Sequence, residues 1–247
     1  MSDPTEQARS FGAAADVYAA SRPGYPTDAI RWVAGPRARD VLDLGAGTGK
    51  LTEVLVHTGY VVTAVEPLPQ MLEHLRIDGV HCIAGRAERI PLRDASFDVV
   101  FAGQAFHWFQ PDQALPEIAR VLRPSGRLGL LWNLLDTSVP WVAELAAIMH
   151  EHARPVTDEP LAPSSALFPR PEYREFRHPG QRLDLPALLD LVRSRSYIIT
   201  LPAAERAGVL ARVTRLVHEH PDLAGREDVE LPYGTHTWRA RLASGSS

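Results

Sequence analysis

The sequence is poor in the features that mark several large classes of protein. Its 247 residues include one cysteine, Cys82, which can form no intrachain disulfide, so the chain is not a disulfide-rich secreted scaffold. No apolar run approaches the roughly 18 residues that a membrane-spanning helix needs, and residues 1–7 lack the apolar core of a secretory leader. We therefore predict a cytoplasmic protein that has no membrane partner.

An excess of charge of one sign is also missing. The chain has 26 Lys and Arg against 30 Asp and Glu, a net charge of -4, and the two signs are mixed along it. Proteins that bind nucleic acid usually present a basic face to the phosphate backbone. We therefore predict no nucleic-acid partner. Apolar residues make up 45% of the chain, which is enough for a substantial core.

One stretch, residues 41–52 with the sequence VLDLGAGTGKLT, indicates a ligand site. An apolar run ends at Asp43, three glycines follow, and an amphipathic segment begins at Lys50, which predicts a strand, a tight turn and a helix. Two familiar motifs do not fit. A dinucleotide-binding turn needs glycine in place of Lys50, and a P-loop needs glycine in place of Leu44 and a hydroxyl in place of Leu51. The acid before the glycines instead suits a ligand that carries an ammonium group.

The pattern Asp-x-Gly-x-Gly-x-Gly resembles motif I of the class I S-adenosylmethionine-dependent methyltransferases, and the chain resembles those with a type 11 methyltransferase domain. The resemblance implies that Asp43, Gly45, Ala46 and Gly47 hold the amino-acid end of S-adenosyl-L-methionine, whose product is S-adenosyl-L-homocysteine. It also implies an α/β Rossmann-like fold, with a seven-stranded, mostly parallel sheet in the order 3-2-1-4-5-7-6. Strand 7 would be antiparallel, helices would cover both faces, and a helical and loop lid would follow. A turn that only packs a helix on a strand is the alternative interpretation.

A second acid stands where an open α/β sheet binds a ribose. Residues 60–65 predict a buried strand that ends at Glu66, about 20 residues beyond Gly45. A carboxylate can accept hydrogen bonds from both ribose hydroxyls at once. The family resemblance adds Pro67 and Met71 as cofactor contacts near the adenosine. A solvated acid at the strand end is the alternative.

The next two strand ends supply the remaining cofactor contacts. After the predicted strand 80–84, related enzymes often have Gly-Asp-Ala-Glu, but this chain has Arg86 at the acidic position. We therefore expect Ala87 or Glu88 to contact the adenine. After the predicted strand 96–102, the loop 103–109 brings Gln104 to the same edge of the sheet.

The loop 103–109 also contains the run Ala-Phe-His-Trp-Phe, which resembles a block of the same family. His107 can deprotonate a substrate hydroxyl or amine, hydrogen-bond a carboxylate, or only hold the loop. Trp108 can form one side of the pocket or stack on a cationic group. Asn133 follows the predicted fifth strand, at the edge of the pocket. These three are the candidate substrate contacts, and His107 is the candidate catalytic residue.

The N-terminal segment adds two candidates. Residues 4–20 predict a helix, and the segment from Phe11 to Pro26 resembles that of small-molecule methyltransferases similar to trans-aconitate methyltransferase. In such enzymes this segment lies across the cleft, which implies that Tyr18 and Arg22 contact the cofactor. The guanidinium of Arg22 also suits a substrate carboxylate. A packed Tyr18 and a surface Arg22 are the alternatives.

Four segments describe the predicted organisation. Residues 1–26 form the N-terminal helix and cleft-covering segment, 27–137 the Rossmann-like core, 138–241 the lid helices, Pro-rich loop and closing strands, and 242–247 a frayed tail. Within them, Thr27 caps a helix over 27–34, and residues 123–126 form a turn before a strand over 127–132. Two His-Glu-His runs, at 150–152 and 218–220, lack a third ligand, so we predict no metal site.

The sequence therefore predicts an enzyme that transfers a methyl group from S-adenosylmethionine to a small-molecule acceptor. Arg22 and His107 favour an acidic acceptor, and catalysis would depend mainly on positioning. Three alternatives remain at this point: a catalytically silent module that binds the cofactor, a protein or RNA methyltransferase, and a nicotinamide-dependent oxidoreductase. The residues do not indicate an oligomeric state.

Overall fold

The computed structural model describes residues 23–150 and 165–243. The predicted N-terminal helix, Tyr18, Arg22, most of the Pro-rich loop and the last four residues lie outside the described part of the chain. The strands are β1 (Asp40–Leu44), β2 (Val61–Glu66), β3 (His81–Ala84), β4 (Phe97–Gly103), β5 (Leu122–Leu135), β6 (Glu172–Asp184) and β7 (Asp228–Arg241). The helices are α1 (Thr27–Ala34), α2 (Lys50–His57), α3 (Pro69–His74), α4 (Pro111–Val121), α5 (Pro140–His150), α6 (Leu185–Arg193), α7 (Ser196–Ile199) and α8 (Ala203–Glu219).

The strands form one sheet in the order β3-β2-β1-β4-β5-β7-β6, as the sequence predicts. β1 lies between β2 and β4 and is parallel to both, so Asp43 has Ala64 on one side and Phe101 on the other. β3 is parallel to β2, and β5 is parallel to β4. Strands buried on both faces have continuous apolar sequences, and for this reason the sequence predicts β1, β2 and β4.

β7 runs antiparallel to both of its neighbours. The amide of Leu242 donates to the carbonyl of Gly126, near the start of β5, and the amide of Asp136, just after the end of β5, donates to the carbonyl of Pro232. Residue numbers therefore increase along β5 in the direction in which they decrease along β7. Between β7 and β6, Arg239 donates hydrogen bonds to Glu172, and the Nε of Arg182 lies 3.5 Å from the Oδ1 of Asp228. The end of β7 thus pairs with the start of β6, which is an antiparallel arrangement. The antiparallel strand 7 is confirmed.

Two compact units can be distinguished in the chain. The core unit comprises residues 24–133, 165–176 and 235–243, and the helical unit comprises 134–150 and 177–234. In the core unit, apolar side chains cover both faces of the sheet, with Ile118 and Leu130 in one cluster and Ile30 and Phe101 in another. The helical unit has its own cluster, built mainly from α5, α6 and α8.

Two local predictions are wrong. Thr27 does not cap α1, because it is the first helical residue and Pro26 holds the cap position without a side-chain hydrogen bond. The turn at 123–126 does not precede a separate strand. It lies within β5, where the pairing with β4 shifts between Phe97 and Val99 and Ser125 adopts a φ of 64°. The extra residues therefore form a bulge, which interrupts the ladder without ending the strand.

Candidate functional site

Four loops meet at one edge of the core unit. Since β1 to β4 are mutually parallel, their carboxyl ends lie at the same edge, and the segments that follow them contain the predicted site residues. These segments are 45–49 after β1, 66–68 after β2, 85–92 after β3 and 103–110 after β4. The structure thus brings together the described candidates at the edge where open α/β sheets bind ligands.

The glycine loop after β1 has the backbone that its sequence predicts. Gly45, Gly47 and Gly49 have φ values of 74°, 57° and 94°, in the left-handed region that side chains disfavour. A Cβ on Gly45 would lie 2.7 Å from the Cβ of Ala105, so the loops after β1 and β4 approach too closely for any side chain there. A Cβ on Gly47 would meet no atom of the described chain within 4 Å, so this backbone borders open space.

Glu66 connects two of the loops. Its Oε2 accepts the amide of Gly47 at 2.9 Å, and its Oε1 accepts the amide of Leu68 at 3.0 Å. The residue is 5% exposed, and burial raises the pKa of its carboxyl while the two amide bonds oppose that change. Each oxygen has a second lone pair, so the carboxylate can still accept hydrogen bonds from a ligand.

Asp43 is buried with one oxygen left over. Its Oδ2 accepts the hydroxyl of Thr52 on α2 at 2.6 Å, but its buried Oδ1 has no hydrogen-bond partner among the described residues. Burial raises the pKa of Asp43 to about 7, with the hydrogen bond from Thr52 opposing and the charge of Glu66 adding to the rise. A buried acceptor without a partner is costly, so Oδ1 marks a position for a donor.

The loop after β3 is braced by α4. Ala87 is buried in the core, and the Oε1 of Glu88 accepts the amide of Gln110 at 2.9 Å, which ties this loop to the one after β4. The amide of Ile90 donates to Glu117, and the guanidinium of Arg120 donates to the carbonyls at 90 and 92, each at 2.8 Å. The predicted adenine contacts therefore lie on a fixed backbone.

The loop after β4 presents aromatic and polar groups. Gln104 adopts a φ of 54°, and its Nε2 donates to the carbonyl of Asn133 at 2.9 Å. The rings of His107 and Trp108 lie 4.8 Å apart in a short 3-10 turn, and both side chains are partly exposed. Desolvation by the surrounding protein lowers the pKa of His107 to about 4, although part of the ring reaches solvent. The imidazole is therefore neutral at pH 7.

The other candidates have structural partners. The Nδ2 of Asn133 donates to the carbonyl of Gly24 at 3.0 Å, and its Oδ1 accepts the hydroxyl of Thr235 at 2.6 Å. Ala46 packs with Ala64 and Leu75. Met71 is buried on α3, and Pro67 is exposed.

Three contributors were missed by the sequence analysis, namely Thr52, Glu117 and Arg120. Each lies on a helix within a stretch that resembles the family, Thr52 in the glycine motif and the other two in a block with a packing role, but the sequence does not show which residue each one contacts. No group of three or more His, Cys, Asp or Glu side chains that could hold a metal occurs in residues 23–150 and 165–243. None of the helices in the same ranges has the length and apolarity needed to span a bilayer.

A sheet of this order, with a glycine loop after β1 and an acid at the end of β2, defines a class I methyltransferase. Comparison with known proteins agrees. Residues 42–130 match the family model described as a methyltransferase domain. An uncharacterised methyltransferase of Mycobacterium tuberculosis is 48% identical over 239 residues, which cover 95% of this chain and 96% of that protein. The chain therefore belongs to this methyltransferase family, and it is an S-adenosylmethionine-dependent enzyme.

Two further similarities bear on activity and fold. A malonyl-[acyl-carrier protein] O-methyltransferase of Herminiimonas arsenicoxydans is 30% identical over 179 residues, covering 70% of this chain and 68% of that protein. A solved structure of an Anaeromyxobacter dehalogenans protein, named as a type II methyltransferase, superposes with a TM-score of 0.61. It is 24% identical and covers 90% of this chain and 97% of its own. The latter supports the fold.

The residues present fit the cofactor. S-adenosylmethionine carries an ammonium group, and the Oδ1 of Asp43, which has no partner among the described residues, can accept a hydrogen bond from it. No described atom lies within 4 Å of a Cβ built on Gly47, so a ligand has room against this backbone. Glu66 retains lone pairs for hydroxyl groups. The donor and acceptor chemistry of this edge thus matches the amino-acid and ribose parts of the cofactor.

Proposed function

We propose that this enzyme methylates a small-molecule acceptor that carries a carboxylate. The observation that carries the proposal is the partly exposed pair His107 and Trp108, with a neutral imidazole, in the loop that contacts the glycine loop. An aromatic wall with one neutral polar group is typical of small-molecule sites. The similarity to a malonyl-[acyl-carrier protein] O-methyltransferase adds support, since a malonyl group ends in a carboxylate.

Each cofactor residue has a proposed task. Asp43 pairs with the ammonium group, Gly45, Ala46 and Gly47 provide close backbone, and Glu66 accepts the ribose hydroxyls. Pro67, Met71, Ala87, Glu88 and Gln104 surround the adenosine and methionine parts. When bound, S-adenosylmethionine supplies a methyl group that is already activated on sulfonium. The protein therefore has to align the acceptor and exclude water, and alignment alone can lower the barrier by several kcal/mol.

His107 has two possible uses toward the acceptor. The N–H of a neutral imidazole can donate to one carboxylate oxygen and leave the other free to attack. Its unprotonated nitrogen can also take a proton from an acceptor hydroxyl. A carboxylate acceptor needs no base, so the first use is the one that we assign.

Product analysis tests the proposal. The purified protein is incubated with methyl-labelled cofactor and, separately, with a malonyl thioester, simple di- and tricarboxylates, total RNA and a protein extract. We expect label in the low-mass acid fraction, as methyl ester, and its loss in Glu66→Ala. The matched control Glu219→Ala removes an exposed carboxylate at the end of α8 and should keep full activity. Label found only in RNA or protein would refute a small-molecule acceptor.

A further inference from the structure

A cavity of about 510 Å³ lies in the core unit at the amino-terminal edge of the parallel strands, opposite the edge that carries Asp43 and Glu66. Its walls come from the connection between α1 and β1, the beginnings of β4 and β5, and the end of the antiparallel β7. Small-molecule sites typically enclose about 300–1,000 Å³. The cavity is open to solvent on one side, its volume lies in the range of a small-molecule site, and it is separate from the cofactor residues.

Arginine dominates the lining of this cavity. Arg37, Arg123, Arg127 and Arg241 line it together with one acid, Asp98. With the nearby Asp40 and Glu172 counted as well, four positive charges stand against three negative ones, although the chain as a whole carries a net charge of -4. A local excess of this sign in an acidic protein needs an explanation.

One of the arginines, Arg123, is shared between two acids. The guanidinium of Arg123 donates to Asp98 at 2.7 Å and to Asp40 at 2.9 Å. The second oxygen of Asp98 accepts the amides of Arg39 and Asp40 at 2.8 and 3.0 Å. Both oxygens of Asp98 are therefore held by donors, and its charge does little to repel an anion.

The side chains of the other three arginines form no close ion pair with a carboxylate of the described residues, although the charge of Glu172 acts on Arg127 and Arg241 from a greater distance. Arg127 donates to the carbonyls of Val33 and Ala34 at the end of α1, and no hydrogen bond or ion pair of the described chain engages the side chain of Arg37 or of Arg241. The nearby Glu172 has both oxygens bonded to Arg239, at 3.2 and 2.6 Å. Burial, and then repulsion from Arg241 and Arg239, lowers the pKa of Arg127, while the charge of Glu172 opposes this change. A bound anion would relieve this repulsion.

We propose that this cavity binds a small multivalent anion with closely spaced oxygens, of the phosphate-ester or polycarboxylate type. The planar guanidinium matches pairs of such oxygens with two parallel hydrogen bonds, and three guanidinium groups around one cavity suit two or more negative charges. Because the site lies at the opposite edge of the sheet, its ligand is bound together with the cofactor and does not compete with it.

Calorimetric titration of the full chain saturated with S-adenosylhomocysteine tests this proposal. Pyrophosphate and citrate are the probes, and sodium chloride at matched ionic strength is the reference, because screening by salt changes any charged interaction. The variant Arg37→Gln/Arg241→Gln removes two exposed charges of the cavity, and Arg226→Gln removes an exposed charge of the helical unit. Unchanged affinity for S-adenosylhomocysteine confirms that each variant is folded.

The proposal expects saturable binding of one anion per chain, about ten-fold or more weaker in the double variant and unchanged in Arg226→Gln. Stronger binding of pyrophosphate identifies a phosphate-bearing ligand, and stronger binding of citrate a polycarboxylate. Absence of saturable heat, equal weakening in Arg226→Gln, or competition with S-adenosylhomocysteine would each overturn it.

Discussion

Asp43 shows how a single buried acid can be prepared for a ligand. One of its oxygens is bonded by Thr52, the other has no partner among the described residues, and burial raises the pKa of the carboxyl to about 7. Without the cofactor, part of the Asp43 population is therefore protonated at neutral pH. An ammonium group placed against Oδ1 would favour the ionised form, so we expect cofactor binding to release protons in this range.

The pH dependence of stability provides the first prediction. Since the pKa of Asp43 is raised on folding from 3.8 to about 7, the folded state holds a proton that the unfolded state has lost. The stabilisation is complete below pH 3.8 and disappears as the pH rises through about 7. The free energy of unfolding of the apo-protein should fall across this window, by at most about 1.4 kcal/mol per pH unit from this group.

Urea denaturation at a series of pH values measures this slope. Asp43→Asn lacks the contribution of this group. The unfolding free energy of wild type minus that of the variant should therefore decrease from pH 4 to pH 8. Glu66 also has a raised pKa, and because its charge interacts with Asp43, the comparison reports the contribution of Asp43 together with that interaction. A difference that is constant with pH would show that Asp43 ionises normally in the folded protein.

Glu66→Ala tests the second acid. The substitution leaves the amides of Gly47 and Leu68 without their acceptor, and it removes the proposed partner of the ribose hydroxyls. We expect the affinity for S-adenosylhomocysteine to fall by about 1–3 kcal/mol, together with a loss of folding stability of similar size. Titration calorimetry and urea denaturation measure the two effects, with Glu219→Ala as the control. Unchanged affinity would remove Glu66 from the cofactor site.

At the scale of elements, the loop after β1 separates two kinds of glycine. Gly45 is confined by the loop after β4, where a Cβ would lie 2.7 Å from Ala105, whereas Gly47 borders open space. Both have a positive φ, so alanine at either position costs about 1–2 kcal/mol of backbone strain. Only at Gly45 does a steric clash add to this strain.

Alanine substitutions at these two glycines should therefore differ. Gly45→Ala should lose about 1–3 kcal/mol of folding stability in addition to the backbone strain, because two packed loops must move apart. Gly47→Ala should show only the backbone strain, yet it should bind S-adenosylhomocysteine more weakly, because its methyl group enters the space that we assign to the ligand. The variants are compared by urea denaturation and calorimetry. A Gly47→Ala protein with normal affinity would place the ligand elsewhere.

The sequence predicted most of the elements because their signals are local. The strand predicted to end at Glu66 is observed at Val61–Glu66, and the strand predicted around Asp43 is observed at Asp40–Leu44. The strand order came from the family resemblance, since periodicity does not determine which strands are neighbours. The brace of Glu117 and Arg120 on the loop after β3 joins groups some 30 residues apart in the chain, and it could not be predicted. The hydrogen bond that Glu66 accepts from the amide of Gly47 joins two different loops, and the sequence did not predict it either.

At the scale of the whole molecule, the described cofactor residues all lie in the core unit. A ligand that binds only the folded state adds its binding free energy to the stability of the fold. S-adenosylhomocysteine at about 100 times its Kd should therefore raise the unfolding free energy of the protein by about 2.7 kcal/mol.

Denaturation with and without ligand measures this linkage. At the same ligand concentration, the unfolding free energy of Asp43→Asn should rise less than that of wild type, because the variant lacks the carboxylate that we assign to the ammonium group. Arg37→Gln/Arg241→Gln should gain as much as wild type, since its changes lie at the opposite edge of the sheet. An equal gain in all three proteins would contradict the assignment of Asp43.

The two outermost strands also determine how this protein behaves toward other chains. An outer strand with free backbone groups is a template on which foreign strands can add, which is a common first step toward fibres. Here β3 has only four residues, and β6 contains Pro179, which has no amide proton to donate, together with six charged side chains over its 13 residues. Each border of the sheet is thus a poor template. We expect the folded protein to tolerate crowding without growing into extended β-aggregates.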